Sequence, residues 1–381
     1  MVAILTPGDR AAFKTCRRAW DLGAQGRRNL EQAAAAAGPL DADRLLRDAL
    51  AVYYFPGMWD WSRAIVLPLV TQALTKAVAR ERDHLGSLLP ADFEERAAGV
   101  ARLLAAYLEW APSVERVAPV LVEVDYEVDM PDPSETDTGL LTAAGDPVRY
   151  RGRVDLLAVD EHDAYWVLRH RVVEDWTDFE ALLRDEEAVA ACWAWEHFYI
   201  GMNIAGTIHN ELRLPAGPAA GGAGPRAAVQ PVPGHERGGV PQHEGSGGGR
   251  SIPQHRRLYA RASEPGAPER MVREDSPWFR RTWIRRSRAE IEQAGRQLAG
   301  EALEILGGSA AVFPSPSEPT CGACAFRAPC LAMYEGHDAE AILAANYRPR
   351  APAELVEGRL GGVSWSTGRG AAPPRFSRGG T

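Results

Sequence analysis

Residues 148–173, VRYRGRVDLLAVDEHDAYWVLRHRVV, leave the chain little freedom in how it folds. Two apolar-rich runs, Val148 to Val159 and Tyr165 to Val173, flank the polar turn Asp160-Glu161-His162-Asp163. Alternation, β-branching and an acidic turn predict a β-hairpin rather than a helix. In the second strand the period of two puts Tyr165, Val167, Arg169, Arg171 and Val173 on one face, and Trp166, Leu168, His170 and Val172 on the other. Asp155 follows shortly after Gly152, where the missing side chain lets another backbone or a ligand come close.

Around this hairpin the pattern alternates between strands and helices. Val120 to Met130 alternates strongly and predicts a strand leading into the hairpin, with Glu123, Asp125, Glu127 and Asp129 on one face. Ile204 to Leu214 predicts a further strand, and Trp278 to Arg286 a strand that runs into a long helix. Asp178 to Ile200 predicts one helix closed by Gly201. Residues 41–110 read as several amphipathic helices, in which Trp59 and Trp61 suit a core better than a base-stacking platform. Near the N-terminus, Thr6-Pro7-Gly8-Asp9 predicts a helix cap, followed by Phe13, Cys16 and Trp20 at helical spacing. The fold class expected is α/β, a central mixed β-sheet flanked by helices. With 45% hydrophobic and 25% charged residues, the chain has ample material for a core.

The organisation divides into an N-terminal helical part (1–40), a helical region (41–118), the strand-rich core (119–214), a Gly/Pro/Ala insertion (215–254), a basic strand and helix with a cysteine-rich end (255–345), and an Arg/Gly/Pro-rich tail (346–381). The insertion and the tail hold too few large apolar groups to offset their ordering entropy, so both are expected to be disordered. A formal charge of −8 excludes a global basic field, so nucleic-acid affinity would have to be a local patch. The best candidate is 251–290, with ten arginines against five acidic residues. There Arg280, Arg281, Arg285 and Arg286 interleave with Trp283, either as a nucleic-acid surface or as a solvated edge strand. No apolar run is long enough to span a membrane, and the N-terminus lacks a signal-peptide pattern. The chain reads as cytoplasmic.

Five cysteines, three of them clustered, suit a metal site in a reducing compartment better than disulfides. Cys321-x2-Cys324-x5-Cys330 offers three thiolates from one compact segment. A tetrahedral centre needs a fourth, and Cys16 is the available donor. Cys192 reads as core. Thiolates serve zinc and iron–sulfur clusters alike, so both remain open.

Gly152-Arg-Val-Asp155 on one strand, followed by a second strand, resembles the PD-(D/E)XK nuclease superfamily, in particular its RecB/AddB-like iron–sulfur members, including the RecB-like nucleases of CRISPR adaptation. Phe-x-x-Cys16-Arg-Arg-x-Trp20 is similar to that family's opening helix. One cysteine before the core and three after it match its 4Fe–4S arrangement, over roughly residues 6–335. The resemblance implies a restriction-endonuclease-like core, a 4Fe–4S cluster on Cys16, Cys321, Cys324 and Cys330 that clasps the two ends of the domain, and DNA as partner, with a companion nuclease or helicase. It also implies Mg²⁺ at Asp155.

The chain departs from the pattern where the chemistry lies. Arg169 and Arg171 stand where the family has a carboxylate and a lysine. The family's metal-binding histidine has Arg47 as its nearest equivalent, and its Gln-x-x-x-Tyr is replaced by Glu186 or Glu187 and Cys192. Arginine has no lone pair to give a metal. Two guanidinium groups about 7 Å apart on one face oppose a cation. Asp155 is therefore expected to pair with Arg169 or Arg171. Three functions follow: a catalytically degenerate nuclease fold that binds DNA or a partner; an active Mg²⁺-dependent nuclease using relocated carboxylates (Glu123, Glu174 or Glu187); or a cluster- or zinc-stapled interaction module.

Overall fold

The computed structural model describes residues 2–33, 40–134, 138–199, 202–214, 271–307 and 310–350. The Gly/Pro insertion, the basic stretch up to residue 270 and the tail beyond 350 lie outside the described residues.

The hairpin forms as the pattern demands: β4 (Val148–Asp160) and β5 (Tyr165–Val173), paired antiparallel from Leu156↔Leu168 to Val159↔Tyr165. Asp160 shapes the turn by accepting from the backbone N–H of His162 and Ala164 and from the Trp166 indole. On its other side β4 pairs with β3 (Val117–Asp129). At its N-terminal end it takes a short parallel strand, β1 (Ala3–Leu5). β6 (Ile204–Arg213) lies parallel to β5, and β8 (Phe279–Arg285) and β7 (Met271–Asp275) follow antiparallel. The result is a mixed seven-stranded sheet, β1-β4-β5-β6-β8-β7, with β3 on β4.

Helices cover both faces. Of α1 (Pro7–Thr15), α2 (Arg17–Gly23), α3 (Ala42–Tyr53), α4 (Arg63–Leu85) and α5 (Phe93–Val114), the last three bury Leu45, Leu50, Val70, Leu103 and Tyr107 with Leu156, Trp166, Leu168, Ile208 and Trp283 of the sheet. The opposite face packs Val154, Leu157 and Val167 against α7 (Glu186–Phe198) and α8 (Arg288–Leu306), with Trp193, Trp195 and Leu298 at the centre. Trp166 and Leu168 face one core and Val167 the other, as the period of two requires. Gly295 on α8 is the point of closest approach: a Cβ there would lie 2.2 Å from the Trp193 indole nitrogen. Thr6 caps α1 in a capping box with Asp9, as its sequence predicts.

Three expectations are corrected. The helix expected over 178–200 is two: α6 (Phe179–Leu183) and α7, separated because Asp185 leaves the helix to cap α7 through Ala188 N. The close approach at Gly152 comes from a side chain, not from a backbone or a ligand, since a Cβ there would lie 2.2 Å from the Tyr126 hydroxyl across the β3–β4 pair. Finally, the first residues of the expected disordered tail form β9 (Tyr347–Pro349), which pairs with β2 (Leu30–Gln32). Beside this small sheet stand α9 (Glu318–Gly322), α10 (Arg327–Glu335) and α11 (Ala339–Asn346). Phe326, Leu343 and Tyr347 of this C-terminal part close over Leu22.

Candidate functional site

In a regular strand residues two apart share a face. Val122 and Leu156 belong to the first core, yet Val124 and Val154, two residues away, belong to the second. Both strands therefore change face at one place, between paired rows 122↔156 and 124↔154, where Glu123 stands opposite Asp155. Glu123 makes the break with a left-handed backbone, φ 44°.

Asp155 is buried at this break. The β4–β5 ladder stops at Leu156↔Leu168, and the Asp155 carboxylate takes over, accepting from His170 N at 2.7 Å. Its other oxygen lies 3.8 Å from Arg47 Nη1 of α3, and Arg47 also reaches Asp43 at 3.3 Å. The expected partner was Arg169 or Arg171. Both instead reach the start of α7: Arg169 donates to Asp185 at 3.3 Å and to Glu187 at 2.9 Å, and Arg171 donates to Asp185 at 2.9 Å. Burial raises the Asp155 carboxyl above its ordinary value, against the His170 N–H, Arg47 and Arg169. Burial, then Asp155 opposite, pushes Glu123 up to about 7, although Arg47 and Arg153 pull it down. Glu123, one of the carboxylates expected to have relocated, reaches this site, while Asp125 on the same strand is held by Arg153 at 2.7 Å.

Mg²⁺ requires hard anionic oxygens in a site free of competing cations. Here Glu123 and Asp155 share their surroundings with Arg47 and with Arg153, 3.8 Å from Glu123. At an effective dielectric near 20, a divalent ion about 5 Å from one guanidinium is opposed by roughly 7 kcal/mol. The residues around Asp155 do not fit Mg²⁺.

From His170, the residue whose N–H Asp155 accepts, a buried polar chain crosses β5, β6 and β8. Asn210 Nδ2 donates to His170 Nδ1 at 2.9 Å, and Arg281 Nε donates to Asn210 Oδ1 at 3.3 Å. Arg281, fully buried, also binds Glu115 at 2.9 Å and the hydroxyls of Tyr54 and Tyr107. Burial, then Arg281 and Arg47, lowers His170 to about 3, so the imidazole is neutral. This assignment corrects the basic patch. Arg281 and Trp283 face the first core, and Arg286 is buried with its guanidinium on the carbonyls of Leu182 and Leu183. Arg280 lies 4.6 Å from the centre of the Trp176 ring and donates to Thr177 O. Only Arg285 of the five is exposed. The strand alternation alone put Arg281 and Trp283 on one face; that face turns inward because α3 and α5 pack on it, and Glu115, far away in sequence, pairs with the buried Arg281.

The four cysteines of the expected cluster lie on N-terminal and C-terminal segments that pack against each other. Cys16 sits between α1 and α2 and its sulfur accepts from Ser315 N at 3.5 Å. Arg18 Nη1 lies 3.9 Å from Cys330 Sγ, across 312 positions of sequence. Burial raises the Cys324 thiol, and Cys16, Cys330 and Cys321 each push it the same way, so all three lie within its electrostatic reach. All four are free thiols. The donor set therefore has the chemistry a soft metal or a cluster takes. As placed, no three His, Cys, Asp or Glu side chains among the described residues stand close enough to share one ion. Cys192, buried against Gly206 O and pushed up to about 12 by burial, belongs to the core as expected.

Comparison with models of known families and with curated proteins finds no match. No helix among the described residues is long and apolar enough to cross a membrane.

Proposed function

We propose that the chain is a catalytically degenerate scaffold of the PD-(D/E)XK kind that binds nucleic acid without cutting it. The observation that carries this reading is the set of guanidinium groups at the strand break: Arg47 on Asp155, Arg153 on Glu123, and Arg169 one residue from His170, whose N–H Asp155 accepts. A nuclease of this kind would need a cation there. Arginine forks match phosphate oxygens and keep backbone affinity while removing metal-dependent cleavage. In this reading Cys16, Cys321, Cys324 and Cys330 hold a 4Fe–4S cluster, or zinc as the alternative, and that group would supply a cross-link between the chain's two ends. Binding energy in such a site is folding energy.

The test is a labelled oligonucleotide incubated with the full chain in Mg²⁺ or Mn²⁺. Salt-dependent binding with intact DNA is the expected result. Cleavage abolished by Asp155→Ala would favour a second reading, an active nuclease with relocated carboxylates. The position of Glu123 opposite Asp155 is the observation that favours it. Neither binding nor cleavage would leave an interaction module.

A further inference from the structure

The sheet face beneath residues 174–187 is unlike the rest of its layer. Two adjacent rows cross four strands with polar residues only: Arg169, His209, Thr282 and Arg273 in one, and Arg171, Glu211, Arg280 and Asp275 in the next. His209 Nδ1, Glu211 Oε2 and Thr282 Oγ1 are buried without a hydrogen-bond partner among the described residues. A sheet face built as core would be apolar here, and buried polar groups are normally paired. The segment above is fastened mainly by polar contacts. Thr177 N donates to Glu211, Arg280 donates to Thr177 O, and Asp185 and Glu187 sit in the forks of Arg169 and Arg171. Among its buried apolar side chains is Leu182.

We propose that Asp185 and Glu187 are internal phosphate mimics: they occupy the Arg169 and Arg171 forks that otherwise take the phosphodiester backbone of a nucleic acid, so the start of α7 is an autoinhibitory contact. The inference rests on the nucleic-acid reading above and adds its regulation. Two carboxylates placed on two guanidinium groups reproduce the charge and fork geometry of phosphate oxygens. The site opens to solvent on one side, where the Glu187 side chain is 45% and that of Arg171 36% exposed, while Asp185 and Arg169 lie deeper, at 9% and 20%. Phosphate arriving from solvent would exchange one anion for another, leaving the arginines paired throughout.

The experiment is fluorescence anisotropy with labelled DNA and RNA oligonucleotides, comparing the full chain with its Asp185→Asn/Glu187→Gln variant. Asparagine keeps the cap oxygen on Ala188 N, so the helix start is retained. Affinity should rise roughly tenfold or more, with a steeper salt dependence, and Arg169→Gln/Arg171→Gln added to that variant should abolish the gain. A Glu94→Gln/Glu292→Gln variant removes the same charge elsewhere and should gain much less. Equal gain in that control, or no gain where the unaltered chain binds, overturns this inference and leaves the binding reading standing. Binding by neither the unaltered chain nor the variant overturns both. Tighter binding of DNA or of RNA identifies the source of the phosphodiester.

Discussion

Glu123 combines two costs in one residue, a left-handed backbone and a buried carboxyl facing another. Its folded value, about 7, lies above the ordinary 4.5. The folded chain therefore holds a proton that the unfolded chain releases, and stability falls as pH rises from 4.5 through 7. Glu123→Gln should leave the melting temperature near pH 4.5 unchanged and raise stability at pH 8 by at most about 3 kcal/mol. Thermal unfolding at the two pH values reads this directly; an equal shift at both would remove the proton from the explanation. His170 runs the other way. Its folded value, about 3, is below the ordinary 6.5, so the unfolded chain binds the extra proton and stability is lost as pH falls below 6.5. Urea unfolding at pH 5 against pH 7 should show a loss of about 2 kcal/mol from this histidine, absent in His170→Gln. Arg281→Met strands Glu115 without its buried partner and should cost about 3–5 kcal/mol, seen as a lower urea midpoint. At this scale the sequence disclosed Asp155 as a singular residue and Arg169 and Arg171 as sharing a face. It did not disclose that Arg47 and Asp185 would be the partners, because strand periodicity carries no information about which helix lies above.

The hairpin was the most legible element, since alternation and turn chemistry agree along its whole length. Its strand ends, Val148 to Asp160 and Tyr165 to Val173, fall where the pattern changes. β1, β2 and β9, three residues each, are too short to show a period. The break between α6 and α7 was hidden because Asp185, Glu186 and Glu187 read as ordinary helix-surface charge, although an Asp followed by Glu is also an N-cap signal. Gly152 has a reason that only the pairing reveals, the Tyr126 ring lying over it. Gly152→Ala should therefore destabilise the fold by about 1–3 kcal/mol, and Tyr126→Val in the same chain should recover part of the loss. Chemical denaturation of the two variants decides it. A Gly152→Ala change without effect would mean that the ring moves aside freely.

At the scale of the whole molecule, two helical layers enclose the large sheet, and the N-terminal segment meets the last of the described residues. β1 joins the sheet beside β4, β2 pairs with β9, and Cys16 enters the surroundings of Cys321, Cys324 and Cys330. The count and spacing of the cysteines were legible in the sequence; the packing of Phe326 and Tyr347 on Leu22, which brings these segments together, was not. The central proposal is that Cys16, Cys321, Cys324 and Cys330 together hold one metal or cluster. An absorption spectrum of the full chain purified without oxygen, read together with its iron and zinc content, tests this most directly. The account predicts a broad visible band with bound iron, or a colourless protein with one zinc, and loss of either in Cys16→Ser. A chain that carries neither metal, or one whose metal content is indifferent to Cys16→Ser, would contradict it.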